Sequence, residues 1–203
     1  MAAVAKERLK SPRARLFVAL DLPEEIRAGI AAWGGEALSD PALRPVAAGS
    51  LHVTLAFLGY RPEKEVERIA ETVRESVGPA PWVELLDPVQ RPPQGRARLF
   101  ALPALSPGTE ALQAGLEQRL VEGGFYEPEK RPFWPHVTVA RVRAEARGSR
   151  RPAVVADPPG KLPEALSEAF FGVRLSLYRS VLLPSGAQYV PLAQVELPGA
   201  GQQ

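Results

Sequence analysis

The chain has two histidines, and each opens the same triplet: His52-Val53-Thr54 and His136-Val137-Thr138. Imidazole titrates near neutrality, so of two imidazoles at one pH, one can be neutral while the other holds a proton. Facing one reacting group, such a pair supplies a general base and a general acid. Displacement at phosphorus needs both, a base for the incoming oxygen and an acid for the oxygen that leaves on the opposite side. Threonine hydroxyls can donate to the equatorial oxygens where charge collects, and arginine can compensate that charge. Either histidine alone reads as a half-buried residue at a strand start. The matched pair points instead to a site built from two equivalent halves.

Other chemistries fit less well. A zinc site needs a third protein ligand, and neither triplet has a carboxylate within a few residues; the chain has no cysteine. There is no Gly-x-Ser-x-Gly elbow for a serine nucleophile. There is also no Gly-x-x-x-x-Gly-Lys loop and no Gly-x-Gly-x-x-Gly turn, so use of nucleoside triphosphates is not expected. No cofactor and no metal are expected.

Each triplet sits on a predicted strand. In Leu51–Gly59, Leu51, Val53, Leu55 and Phe57 alternate with His52, Thr54 and Ala56, so His52 and Thr54 share a face while Phe57 falls with the apolar set. In the second copy Val137 and Val139 pack, and His136 and Thr138 share the other face. A strand at Arg15–Leu20 leads to a helix in which Asp21 is expected to cap, with Pro23 in the first turn and Ile26, Ile30, Trp33 and Ala37 on one face. A loop follows over 41–49. Gly59 is expected to end the first His strand and Pro62 to open a second helix with Val66, Ile69, Val73 and Val77 inward.

Strands are predicted at Trp82–Val89 and Arg98–Leu102. A third helix starts at Ser106-Pro107, carries Leu112, Leu116 and Leu120, and stops at Gly123-Gly124. Strand, helix and His strand thus occur twice, with the histidines 84 residues apart, a spacing that suits a duplicated lobe and not a solenoid. A polar loop spans 143–159 and a short helix 163–169. A strand from Phe171 to Leu183 then turns at Pro184-Ser185-Gly186 into another over Tyr189–Leu197.

With 203 residues, 45% hydrophobic, the chain is expected to form a single two-lobed domain over 15–197, with a flexible extension at 1–14 and a tail at 198–203. No apolar run reaches the ~20 residues a membrane span needs, and the opening residues lack the apolar stretch of a signal peptide. Absence of cysteine fits a cytoplasmic setting. The net charge of +2 is too small to name a nucleic-acid partner by itself.

Four stretches together resemble a known family: Arg15-Leu16-Phe17-Val18-Ala19-Leu20, Leu51 through Gly59, Pro135-His136-Val137-Thr138-Val139-Ala140-Arg141, and Leu177-Tyr178-Arg179-Ser180-Val181-Leu182 before Gly186 and Tyr189. The paired His-x-Thr motifs resemble those of the two-histidine phosphoesterase superfamily, and the flanks resemble its RNA 2′,3′-cyclic phosphodiesterases, also called 2′-5′ RNA ligases. The likeness covers roughly Arg15 to Leu197. It implies a bilobal, duplicated α+β fold, with two antiparallel sheets around a central cleft and helices packed outside. It also implies hydrolysis of cyclic phosphate ends of RNA to 2′-phosphomonoesters, reversible as 2′-5′ ligation. Separately, a monomer is expected, and no obligate protein partner is inferred.

By that resemblance His52 is the proton donor, His136 the acceptor, and Arg141 a phosphate or ribose contact. The two halves look alike in sequence, so residue types alone do not assign acid and base. Ideal alternation also sets Arg141 on the face opposite His136, so reaching the site requires a bulge, a strand end or a long reach. Thr54 and Thr138 are expected to act with their histidines. Phe57 and Trp134 are the aromatic candidates for base stacking. Arg91, Arg96, Arg98, Arg143, Arg147, Arg150 and Arg151 are candidates for a basic rim. Two further readings stay open: a phosphodiesterase acting on small cyclic nucleotides or 2′-5′ oligonucleotides, and an RNA-end binder without turnover.

Overall fold

The computed structural model describes residues 12–183 and 186–199. The expected N-terminal extension falls outside the described residues as far as residue 11, the expected tail from residue 200, and the turn at 184–185 entirely. In chain order the elements are β1 (Arg13–Asp21), α1 (Glu24–Ala37), β2 (Leu43–Pro45), β3 (His52–Pro62), α2 (Val66–Glu75), β4 (Trp82–Leu85), β5 (Val89–Arg91) and β6 (Leu99–Leu105). They continue with α3 (Pro107–Glu122), β7 (His136–Val142), α4 (Glu164–Ser167), β8 (Phe170–Phe171), β9 (Arg174–Leu183) and β10 (Gly186–Glu196).

All strand pairings are antiparallel along the path β10-β9-β1-β3-β7-β6-β4-β8, with β2 added beside β7 and β5 beside β6. Each His strand pairs with the strand that precedes its helix, β3 with β1 and β7 with β6. The duplicated α+β lobes expected from the sequence are therefore two antiparallel half-sheets. They meet at a single register pair, Val53 opposite Val137.

The core explains why the lobes close this way. Val53, Leu55, Val137 and Val139 face a continuous apolar cluster with Ile30 of α1, Ile69 and Val73 of α2, and Leu112, Leu116 and Leu120 of α3. Burying one such side chain contributes about 1.5–3 kcal/mol, so both strands hold their apolar face inward. That leaves His52, Thr54, His136 and Thr138 on the other side of the sheet, and no residue of the four helices lines the cleft there.

Two expected boundary signals act differently. Asp21 does not cap α1, whose cap position is Pro23 without a side-chain bond. Instead Asp21 ends β1 with its carboxylate buried, only 4% exposed, and bonded by Ser176 and Tyr178 of β9. Gly59 does not end β3, which runs on to Pro62. At φ +66° it accommodates a register shift, where Leu16 pairs with Gly59 and Phe17 with Phe57. The predicted strand at 82–89 is likewise broken into β4 and β5, and Phe171–Leu183 into β8 and β9. Ser106 does cap α3, accepting from the Thr109 amide.

Candidate active site

Val53 and Val137 are the two middle residues of the repeated triplets, both fully buried, and they face each other across the lobe boundary. In antiparallel register one step to either side sets His52 level with Thr138 and Thr54 level with His136. All four polar side chains line one cleft of about 800 Å³. Each histidine thus neighbours the other motif's threonine.

The strands then do something that alternation does not predict. In β3, Ala19 pairs with Thr54 and Val18 with Ala56, leaving Leu55 as an extra residue. In β7, Ala101 pairs with Thr138 and Phe100 with Ala140, leaving Val139 extra. A β-bulge of this kind changes the phase of every later side chain. Leu55 and Ala56 are consequently both buried, as are Val139 and Ala140, and the next residue in each strand turns outward. Those residues are Phe57, 56% exposed, and Arg141, and both line the cleft. Phe57 is thereby removed from the apolar face on which simple alternation set it, and the bulge required for Arg141 is present.

Both imidazoles are held by their own strand entrance. His52 Nδ1 donates to the Ser50 carbonyl at 2.8 Å and His136 Nδ1 to the Trp134 carbonyl at 2.7 Å. A carbonyl can only accept, so Nδ1 carries the hydrogen and Nε2 is the atom left for chemistry. His52 Nε2 lies 3.1 Å from Thr54 Oγ1. Each ring is also stacked, His52 on Phe17 at 5.0 Å and His136 on Trp134 at 4.1 Å. Burial lowers both imidazoles from their usual range. It takes His52 to about 4, against the Ser50 carbonyl and Asp21, which favour its charged form, while His136 and Arg141 add to the lowering. For His136 the Trp134 carbonyl opposes burial, and Arg91 and Arg141 reinforce it. Burial thus favours the neutral form of both rings.

The cleft is built for an anion. Arg15, Arg44 and Arg141 line it, and no carboxylate is among its lining residues. Arg44 pairs with Arg141 in the β2–β7 ladder, which brings the two side chains to neighbouring positions. Among the described residues no group of three His, Asp or Glu side chains is assembled that could hold a metal ion, and no helix is long and apolar enough to cross a membrane.

Of the predicted residues, the structure brings together His52, Thr54, His136, Thr138, Arg141 and Phe57, and sets Trp134 apart. Trp134 carries His136 on one face and the Arg91 guanidinium 3.7 Å from its ring centroid. Two groups that close must take opposite faces, so no open face is left for a base. Trp134 is a platform for His136. Part of the candidate basic rim is engaged: Arg96 and Arg151 pair with Glu145, and Arg143 bonds the Leu43 carbonyl. Sequence reasoning missed Arg15, Arg44, Phe17 and Tyr189 in the cleft. Arg15 and Phe17 share a strand face, a signal that was available; Arg44 lies in a three-residue strand with no pattern to find.

One His-x-Thr strand from each lobe thus faces a single cationic cleft. The family model for the 2′-5′ RNA ligase superfamily matches residues 22–163, and the chain belongs to that superfamily. It is 33% identical over 193 residues to an RNA 2′,3′-cyclic phosphodiesterase of Thermus thermophilus, covering 91% of each chain. It is 33% identical over 183 residues to one of Escherichia coli, covering 88% of this chain and 93% of the relative. The crystal structure of TT0787 of Thermus thermophilus superimposes with a TM-score of 0.73 at 32% identity, covering 90% of this chain and 97% of that one.

Proposed function

We propose that the protein hydrolyses 2′,3′-cyclic phosphate ends of RNA to 2′-phosphomonoesters by acid–base catalysis between its two histidines. The observation that carries this is the pair of histidines lining one cleft with three arginines, each held by a matching Nδ1 bond that leaves Nε2 for chemistry. The names of the relatives supply the substrate. His136 takes a proton from water as its oxygen bonds to phosphorus; the bond from phosphorus to the 3′-oxygen breaks, and His52 gives that oxygen its proton. The product carries a 2′-phosphate and a free 3′-hydroxyl. Run in the same direction with a 5′-hydroxyl in place of water, the same displacement is 2′-5′ ligation.

The remaining groups serve the charge at phosphorus. Thr54 and Thr138 donate to the non-bridging oxygens, and Arg141 presents a fork suited to two of them. His52 must hold a proton when it acts. The incoming phosphodiester anion supplies the negative charge that burial otherwise makes scarce, and raises the imidazole toward the protonated state. A cleft of about 800 Å³ accommodates a nucleotide with room for its neighbour.

The test follows a short RNA with a 2′,3′-cyclic phosphate end, incubated in EDTA with wild type, His52→Ala and His136→Ala. Exclusive 2′-phosphate from wild type, with each variant slower by ~10²-fold or more, is expected. An inactive wild type, or a variant near full rate, sinks this reading. Turnover of 2′-5′ oligonucleotides or small cyclic nucleotides instead would move the substrate, and tight binding of the RNA end without turnover would make the protein a binder.

A further inference from the structure

The two half-sites match at the front and differ behind. Behind His52, Phe17 stacks on Tyr178 at 5.3 Å, and the Tyr178 hydroxyl donates to Asp21 Oδ1 at 2.9 Å. Ser176 Oγ donates to Asp21 Oδ2 at 2.7 Å. Asp21 is also the ladder partner of His52 in the β1–β3 pairing. A buried carboxylate therefore sits beside the first histidine. Behind His136, the far face of Trp134 is covered by the Arg91 guanidinium. Neither Asp21 nor Arg91 lines the cleft.

We propose that Asp21 and Arg91 are positioning residues that bias the two histidines toward different roles, His52 toward acid and His136 toward base. Asp21 favours the protonated form of His52, and Arg91 favours the neutral form of His136. This deepens the acid–base reading above and rests on it for the catalytic roles. A phosphate held between the rings attracts both protons alike, so it cannot by itself distinguish them. The fixed charges behind the rings can.

Every other charged group around the pair can be placed. His136 and Arg141, from β7, oppose protonation of His52, so Asp21 is the one carboxylate acting against them and against burial. Tyr178, pushed up to about 12 chiefly by burial, stays a donor to Asp21, and Tyr189 of β10 presents its edge to His52 at 5.4 Å. Arg174 lies 3.4 Å from Asp21 and offsets part of its charge, and Glu196 in turn lies 3.4 Å from Arg174. On the other side Arg141 acts on His136 in the same sense as Arg91. Arg15 and Arg44 line the cleft between them.

The test is an NMR titration of the two imidazole Cε1–H signals, with inorganic phosphate present to lift both into an accessible range. With two histidines in the chain, one variant assigns both signals. Asp21→Asn is expected to lower the His52 midpoint by about half a pH unit or more and leave His136 in place. Arg91→Met is expected to raise His136 alone, and Arg91→Lys to restore it. Arg174→Gln removes the cation beside Asp21 and should raise His52, which decides the matter if Asp21→Asn does not fold. Midpoints that stay put, or move together in every variant, overturn the proposal. The titration needs no turnover, so inactivity on cyclic-phosphate RNA would defeat the proposed function without touching this result.

Discussion

Phe57 and Arg141 occupy equivalent positions, each five residues beyond its histidine and just past a matching bulge. One lobe uses the bulge to present an aromatic ring to the cleft, and the other uses it to present a guanidinium. The same backbone device thus turns two different chemistries into one cleft.

For Arg141 the expectation concerns geometry as well as charge. Lysine keeps the charge and loses the fork, so Arg141→Lys should cut kcat/KM by about 10-fold, and Arg141→Ala further. Steady-state rates on cyclic-phosphate RNA at low and moderate salt check this. Equal rates for the lysine variant and wild type would mean that only the charge matters.

Phe57→Ala should raise KM and leave kcat nearly unchanged. Stacking on a base is worth about 1–3 kcal/mol, which is roughly 5- to 150-fold in binding. An abasic terminal nucleotide provides the control, since wild type and variant should then bind it equally. A persisting difference would show that Phe57 acts by packing and not by stacking.

Gly59 tests the second register shift of β3, between the pairs Phe17–Phe57 and Leu16–Gly59. At φ +66° a Cβ meets nothing within 4 Å, so Gly59→Ala is charged only with the left-handed conformation, about 1–2 kcal/mol. A drop in Tm of about 2–8 °C is expected by calorimetry. Gly35, inside α1 and equally open, is the contrast: Gly35→Ala should hold or raise Tm. If both glycines respond alike, the left-handed turn is not what Gly59 is for.

Stability should depend on pH through the histidines. Burial lowers His52 from 6.5 to about 4 and lowers His136 as well. Between those limits the unfolded chain binds more protons than the folded one, so stability is full above about pH 6.5 and falls as pH drops toward 4. His52 contributes on the order of 3 kcal/mol to that loss as an upper bound. Urea unfolding at about pH 7.5 and pH 4.5 measures it, and His52→Gln should lose visibly less across the window than wild type. A variant with the same loss would mean that His52 is not held neutral.

The paired His-x-Thr strands, the three long helices and the duplicated order were legible because each is a local pattern. Alternation sorts a strand's faces, helical spacing sorts a helix's, and a repeated triplet is visible without any fold. The family resemblance rested on the same short stretches, and the match over 22–163 bears it out. Asp21 was misread for the converse reason. Asp before Pro and Glu is a sound local capping signal, but the partners that hold its carboxylate, Ser176 and Tyr178, lie over 150 residues away.

What the sequence alone determined is the chemistry on offer: two imidazoles, two hydroxyls, and strand faces that hold each pair together. Which arginines join them, that Phe57 faces the cleft and not the core, that Trp134 stacks on His136, and what charge stands behind each ring were decided only by the tertiary structure. The reason is that a bulge is an event in a pairing, not in a strand. Leu55 and Val139 look like any other alternating residues until Val18–Ala19 and Phe100–Ala101 are laid against them, and one residue of slippage reverses every face that follows.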